Sequence, residues 1–283
     1  MKLIHQSKVL VRLQAELQLK GQVGFVPTMG ALHMGHISLV EKSIKENDFT
    51  IVSIFVNPTQ FNEMSDLENY PKDIDKDLAM LKDFDVDYVF IPSVSEMYPE
   101  PELVNDQTYI DLGGLEEKLE GKERPGHFNG VVQIMSKLLE LVQPNQLYLG
   151  QKDYQQVLVI SRLIEVKEWV INVRMIETYR ESNGLAMSSR NERLSPQDRN
   201  AASIVFDTLN YIKDYPKNIS PELLSASAIK RLENEPICKH VEYFDLLDAS
   251  TLEPILEWSK GKEYIACVAI ETDKVRLIDN MFI

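Results

Sequence analysis

Two histidines three residues apart, His33 and His36, close the run Phe25-Val26-Pro27-Thr28-Met29-Gly30-Ala31-Leu32-His33-Met34-Gly35-His36. An apolar stretch stops at Pro27, passes through Gly30 and Gly35, and enters an amphipathic segment from Ile37 to Ile44. That order reads as a strand, a glycine loop and a helix start. A helix start offers unpaired N–H groups and a positive dipole end to an anion. Imidazoles placed there add donors near neutral pH. The polyphosphate of a nucleotide is the ligand this chemistry suits. Taken alone, Gly-x-x-His is a turn, and imidazoles at i and i+3 would also suit a metal pair or a packed face. A third metal ligand is wanting, because no Cys stands in the first half and neither His5 nor His127 is at ligand spacing.

Further candidates lie downstream. Lys152 follows Leu147-Tyr148-Leu149-Gly150-Gln151, beside Asp153 and near Gln155 and Gln156. In isolation this is a solvated helix start capped by Asp153. At the ligand edge of a parallel sheet, the ammonium becomes a point charge for phosphate. Gln60 and Gln156 offer donors and an acceptor each, which suits a hydroxylated or carboxylated substrate. The run Gly184-Leu185-Ala186-Met187-Ser188-Ser189-Arg190-Asn191 is either a polar linker or a lid that meets a triphosphate with hydroxyls and a bidentate guanidinium. Arg124-Pro125-Gly126-His127-Phe128 adds a cation and an imidazole before a helix. Glu116-Glu117-Lys118 and Asp73-Ile74-Asp75-Lys76-Asp77 read as solvated helix faces. Neither a Gly-x-Ser-x-Gly elbow nor a P-loop occurs.

These residues need a frame. Strand patterns fall at Val23–Val26, Thr50–Val56, Tyr88–Ile91, Leu147–Gly150 and Asn172–Ile176. Helical periodicity fills Lys8–Leu19, Ile37–Lys45, Lys72–Asp83, Gly130–Val142 and Tyr154–Val166, and Met1 to Leu19 as a whole reads as amphipathic. The alternation predicts an α/β fold with a doubly wound, Rossmann-like parallel sheet, whose ligands lie beyond the carboxyl ends of the strands. After Arg190 the texture becomes α+β. A long helix runs over Gln197 to Ile212 and another near Pro221–Glu233, and strands follow at Val241–Leu246, Tyr264–Ile270 and Lys274–Asn280, with a tight turn at Asp273-Lys274. Two domains are expected, 1–179 and a smaller one at 180–283.

Bulk properties narrow the function classes. A chain of 283 residues with 44% hydrophobic and 26% charged residues is an ordinary globular composition. A formal charge of −14 argues against a nucleic-acid surface, although a local basic pocket for a small anion remains compatible. Two cysteines far apart, Cys238 and Cys267, fit a reducing cytoplasmic setting. No apolar run approaches the length of a membrane span, and the N-terminus lacks the apolar core of a signal peptide.

Five motifs in order along the chain resemble the pantothenate synthetase (pantoate–β-alanine ligase) family. They are Pro27-Thr28-Met29-Gly30-Ala31-Leu32-His33-x-Gly35-His36, Phe55-Val56-Asn57-Pro58-x-Gln60-Phe61, Arg124-Pro125-Gly126-His127-Phe128, Gly150-x-Lys152-Asp153-x-Gln155-Gln156 and the run Gly184 to Asn191. The family sits in a nucleotidyltransferase superfamily with a two-histidine HxGH signature that includes class I aminoacyl-tRNA synthetases. The resemblance implies ATP-dependent condensation of (R)-pantoate with β-alanine through a pantoyl adenylate, releasing pyrophosphate and then AMP.

The resemblance also implies roles. His36, His33, Lys152 and Arg190 become the catalytic set. ATP contacts follow at Met29, Gly30, Ala31, Leu32, His33, Met34, Gly35 and His36, at Gly150, Gln151, Lys152 and Asp153, and at Tyr179, Met187, Ser188, Ser189 and Arg190. Pantoate and β-alanine fall to Gln60, Gln156, Asn57, Pro27, Met29, Arg124 and His127. Mg²⁺ is expected through the ATP phosphates, with no ligand assigned to the protein. The first domain would bind ATP and pantoate, the second would act as a lid, and the family resembles a homodimer former. Met34, Gln151 and Tyr179 depart from residues common in the family without removing a phosphate contact. Two rival readings are a related nucleotidyltransferase acting on another acid or a phosphorylated alcohol, and a nucleotide-binding regulator that has lost catalysis. The second would have lost a histidine, the lysine or the arginine, and all are present.

Overall fold

In the computed structural model, residues 1–61, 67–100 and 110–283 are described. Short apolar segments form β1 (Lys2–Ile4), β2 (Val23–Thr28), β3 (Phe49–Ile54), β4 (Tyr88–Phe90), β5 (Gln146–Gly150) and β6 (Asn172–Ile176). They pair in the order β1-β4-β3-β2-β5-β6, every pair parallel. The longer helices among the described residues between them are α1 (Ser7–Gln18), α2 (Met34–Glu46), α3 (Ile74–Lys82), α4 (His127–Val142) and α5 (Tyr154–Val166).

Alternation along the strands shows why both faces are covered. Phe25, Ile51 and Leu147 share one core with Leu10 and Leu17 of α1, Leu139 of α4 and Ile160 of α5. Their neighbours Val26, Val52 and Tyr148 point the other way, into a second core with Ile37 and Val40 of α2 and Leu81 of α3. Successive side chains on a strand face opposite sides, so a strand buried on both faces must be apolar throughout. Starting from β2 the chain winds outward through β3 and β4, then returns to the other side with β5 and β6. The direction changes where β2 lies beside β5, with Gly24 opposite Gln146 and Phe25 opposite Leu147. In such sheets, ligands collect outside the carboxyl ends of the strands at this switch point.

By packing, the chain divides into two compact units, Met1–Gly150 with Gln155–Ile176, and Gln151–Tyr154 with Glu177–Ile283. In the second unit α6 (Ile204–Asp214) and α7 (Pro221–Glu233) pack on an antiparallel sheet of β7 (His240–Asp248), β8 (Tyr264–Glu271) and β9 (Arg276–Phe282). Its core includes Leu209, Leu232, Phe244, Val268 and Ile270. The α/β class with an α+β C-terminal part is as expected from the alternation.

Two segments differ from expectation. Residues Lys2–Ile4 form the edge strand β1 beside β4, so the opening residues are not all helix. Three residues are too few for a period to register, and only Ile4 is buried. The long helix expected over Gln197 to Ile212 is split into a short helix, Pro196–Ala201, and α6. At Ala202 and Ser203 the ψ angles flatten to −13° and −19°. The amides of Ser203 and Val205 then reach back three residues rather than four, a tightening that kinks a helix.

Candidate active site

The loop after β2 is built around two consecutive left-handed residues, Gly30 (φ 82°) and Ala31 (φ 51°). Glycine adopts this region freely, whereas an alanine there costs roughly 1–3 kcal/mol and persists only if its surroundings hold it. Asp77 on α3 does so. Its carboxylate accepts the Ala31 N–H at 3.0 Å and the Leu32 N–H at 2.7 Å. Each hydrogen bond to a charged group contributes on the order of 1.5–3 kcal/mol, enough for the pair to outweigh the strain. A side chain at position 30 would meet Asp77 Oδ2 at 3.0 Å and Ile54 Cγ2 at 3.1 Å, so the loop closes tightly on this carboxylate. Burial pushes the Asp77 pKa up; the Leu32 and Ala31 amides oppose that push. Asp77 is 2% exposed and therefore not part of a solvated face, contrary to the reading of Asp73 to Asp77.

The clamped loop delivers His33 as the N-cap of α2. His33 Nδ1 accepts the Gly35 N–H at 3.1 Å, and His36 Nδ1 accepts the His33 N–H at 3.3 Å. This is a capping box made from two imidazoles. The rings lie 4.1 Å apart between centroids. With both Nδ1 atoms accepting, each neutral ring carries its proton on Nε2 and can donate only from there. Sequence spacing showed two histidines; the geometry shows that the backbone selects the same tautomer in both. Met34 between them is exposed.

The next carboxyl-end loop carries Asn57 and Gln60. Asn57 is 1% exposed. Its Nδ2 donates to Thr59 Oγ1, Gln60 Oε1 and the Gly130 carbonyl, and its Oδ1 accepts from the Tyr98 hydroxyl at 2.8 Å. The residue expected to touch substrate thus commits its amide to the protein and orients Gln60. Gly130 lets α4 approach, because a side chain there would collide with the Thr59 carbonyl oxygen. Gln60 Nε2 also donates to Met29 Sδ at 2.8 Å, joining the loops after β2 and β3.

His127 and Arg124 reach the same turn. His127 Nδ1 donates to the Gln60 carbonyl at 2.9 Å, and Arg124 Nη2 donates to it at 3.4 Å. Arg124 Nη1 lies 3.4 Å from His127 Nε2. These two support Gln60 through its backbone. Gln155, at the start of α5, clips the segment before Arg124. It accepts the Glu120 N–H and donates to the Leu115 and Lys118 carbonyls. Gln156 beside it is half-buried, as is Pro27 within β2.

The remaining expected residues, apart from Gly150 at the end of β5, belong to the second unit. Gln151, Lys152 and Asp153 form one 3-10 turn, with Lys152 Nζ 3.4 Å from Asp153 Oδ1. Tyr179 is exposed, and its carbonyl accepts the Met187 N–H at 3.0 Å. Arg180 pairs with Ala186 as an antiparallel bridge, so 179–187 is a small hairpin. Ser188 caps the 3-10 turn Ser189–Arg193 by accepting the Arg190 N–H. Asn191 is buried and donates to the Ala186 carbonyl and Glu181. A loop read from composition as a linker or lid is thus a hydrogen-bonded hairpin followed by a capped 3-10 turn that carries two hydroxyls and a guanidinium.

A family model described as pantoate-beta-alanine ligase matches residues 2–282. The chain belongs to that family. Pantothenate synthetase from Azobacteroides pseudotrichonymphae is 44% identical over 97% of this chain and 98% of its own length. The Bacteroides thetaiotaomicron pantothenate synthetase is 40% identical over 99% and 98%. Among solved structures, pantothenate synthetase from Thermus thermophilus has a TM-score of 0.89 at 38% identity, covering 99% of both chains. The pantoate-beta-alanine ligase of Francisella tularensis, complexed with beta-gamma ATP and beta-alanine, has a TM-score of 0.79 at 35% identity, covering 99% and 97%. Family membership makes this chain an ATP-dependent ligase that forms an amide bond.

Tyr98, which pattern reading missed, and Asp77, which it took for part of a solvated face, act on the loops after β3 and β2 from elements distant in sequence, and nothing local marks that role. The candidate donors are imidazole N–H and amide in the first unit, and ammonium, guanidinium and hydroxyl in the second, groups whose chemistry fits phosphate and carboxylate. Among the described residues no group of three or more His, Cys, Asp or Glu side chains is placed to hold a metal ion.

Proposed function

We infer that this chain condenses (R)-pantoate with β-alanine at the expense of ATP, through a pantoyl adenylate. The observation that carries the site assignment is the imidazole capping box at the start of α2, on the loop that ends the central strand. A free carboxylate is a poor acyl donor, so it must first gain a leaving group. The pantoate carboxylate oxygen attacks the α-phosphorus of ATP, the bond to the β,γ-phosphates breaks, and pyrophosphate departs. The β-alanine nitrogen then attacks the acyl carbon, the acyl–oxygen bond to AMP breaks, and pantothenate forms. No protein nucleophile takes part.

His33 and His36 would donate from Nε2 to phosphate oxygens, where charge grows as pyrophosphate leaves; preorganised donors aimed at developing charge are usually the largest single catalytic contribution. Lys152, Ser188, Ser189 and Arg190 would hold the triphosphate. The backbone of Met29 to His36 and of Gly150 to Asp153, with Tyr179 and Met187, would frame the nucleotide. Gln60 and Gln156 would hold pantoate, with Pro27 and Met29 beside it and β-alanine near Gln60. Asn57, Arg124 and His127 would then act through Gln60. Mg²⁺ would ride on the phosphate oxygens, offsetting their charge. A cytoplasmic homodimer with a mobile C-terminal unit completes the reading.

ATP–pyrophosphate exchange tests it. Exchange should require pantoate and proceed without β-alanine. Exchange with a different acid and none with pantoate would instead favour a related nucleotidyltransferase.

A further inference from the structure

Two adjacent residues of the last strand, Asp279 and Asn280, contact the 179–187 hairpin, which leads into Ser188 and Arg190, and the turn that carries Lys152. They are 4% and 3% exposed. Asn280 Nδ2 donates to the Gln151 carbonyl at 2.8 Å and the Lys152 carbonyl at 2.9 Å, while its Oδ1 accepts from Gln151 Nε2 at 3.2 Å. One side-chain amide therefore satisfies two consecutive carbonyls and the flanking side chain. Tyr154 closes the turn from the other end. Its hydroxyl donates to the Ala249 carbonyl at 2.8 Å, and its ring packs edge-on against Phe282 of the same strand.

Asp279 does the corresponding work for the hairpin. Its carboxylate receives both terminal nitrogens of Arg180, at 2.6 and 3.1 Å. Arg180 Nη1 also donates to the Gly184 carbonyl at 3.1 Å, and the guanidinium stacks 4.4 Å from the Phe206 ring. The Asn280 N–H donates to Asp279 Oδ1, linking the two anchors within one dipeptide. A planar, bidentate pair of this kind fixes orientation as well as distance.

We propose that Asn280 is a positioning residue for Lys152, and that Asp279 and Asn280 together hold the Lys152 turn and the 179–187 hairpin, which leads into Ser188 and Arg190, as a single pre-set phosphate clamp. The proposal rests on the reading of Lys152 as a triphosphate ligand. A lysine held on a mobile turn must be ordered each time ATP binds, and that cost comes out of affinity. Holding the turn by its carbonyls removes most of it. Misplacement by about an ångström far from the chemistry can cost up to 10²-fold.

The test is pantoate-dependent ATP–pyrophosphate exchange on the full chain. Variants are Asn280→Ala, the isosteric Asn280→Asp, Lys152→Ala and the double variant Lys152→Ala with Asn280→Ala. Thermal unfolding of each fixes an assay temperature at which all are folded. Both Asn280 variants should raise the KM for ATP about tenfold or more, since Asp sets a carboxylate oxygen against two carbonyls. The KM for β-alanine with preformed pantoyl adenylate should not move. In the Lys152→Ala background, Asn280→Ala should add less than about twofold, because coupled residues are not additive. An unchanged ATP KM in both Asn280 variants, an equal loss in the β-alanine half-reaction, or full additivity would overturn the proposal. If Lys152→Ala itself leaves exchange intact, it is the phosphate role of Lys152 that fails, a result distinct from failure of Asn280 to position it.

Discussion

At the scale of single residues, the site depends on groups that select one state of another group. The backbone amides of His33 and Gly35 select the Nε2–H tautomer in both imidazoles, and Asp77 selects the left-handed turn that puts those amides in place. His36→Ala deletes one Nε2 donor and half of the capping box. Turnover should fall roughly 10²-fold or more, the usual effect of losing an oxyanion-type donor. Stability should fall only by the cost of a cap, about 1 kcal/mol. Steady-state turnover beside thermal unfolding checks this, and unchanged turnover would remove His36 from the reaction. Asp77→Ala removes the acceptor of one buried and one partly buried N–H group and should cost more in stability, about 2–4 kcal/mol. Because it acts through the loop, kcat should drop as well, and Asp77→Asn, which keeps one acceptor, should recover part of both losses. Equal kcat in all three proteins would mean that the loop holds its shape without the carboxylate.

At the scale of elements, boundaries marked by chemistry with a short range were readable in advance, and those decided by distant partners were not. Strand β2 and the helix after it follow from an apolar run, a Pro and two glycines, all local, but the imidazole cap at His33 starts α2 at Met34, three residues before the expected Ile37. Helix α7 begins at Pro221 after the Ser220 cap and ends at Glu233, as its sequence indicates. Edge strand β1 was missed because three residues beside β4 acquire their conformation from pairing. Asp77 was misread because an aspartate-rich first turn is also what a solvated helix start needs. The turn after β7 offers a check of the same local chemistry. Asp248 accepts from the Ser250 hydroxyl and N–H and from the Thr251 N–H, with Lys262 Nζ at 3.4 Å. The Ser250 hydroxyl, followed by its amide and Lys262, holds the Asp248 carboxyl down to about 2 from an ordinary 3.8 despite an opposing desolvation. A depressed carboxylate stabilises the fold above its ordinary pKa and loses that contribution as pH falls toward the depressed value. Asp248→Asn should therefore cost on the order of 1 kcal/mol at neutral pH. The gap from the parent protein should close between about pH 4 and pH 2 in unfolding measurements. A gap that stays constant over that range would show that the charge is not what matters at this turn.

At the scale of the whole molecule, the alternating pattern was sufficient for a doubly wound sheet because both faces of every central strand had to be apolar. It could not show that Gln151–Tyr154, inside the first unit by sequence, packs with the second. That assignment is made by Asn280, Ala249 and Phe282, all about a hundred or more residues away along the chain. Each unit closes its own core, around Phe25, Leu139 and Ile160 in one and around Leu209, Phe244 and Ile270 in the other. Units with separate cores should open as separate cooperative bodies. Phe244→Ala, at a site 1% exposed, should remove about 3–5 kcal/mol from the second unit. Native-state hydrogen exchange should then speed up across β7, β8 and β9 and across residues 151–154, while β2, β3 and β5 keep their protection. Leu139→Ala should give the mirror image, at about 2–5 kcal/mol. The segment 151–154 decides the matter, because by sequence it should follow its neighbours in β5 and α5, and by packing it should follow Phe244. Loss of protection there on Leu139→Ala but not on Phe244→Ala would return Lys152 to the first unit and detach it from the strand that carries Asn280.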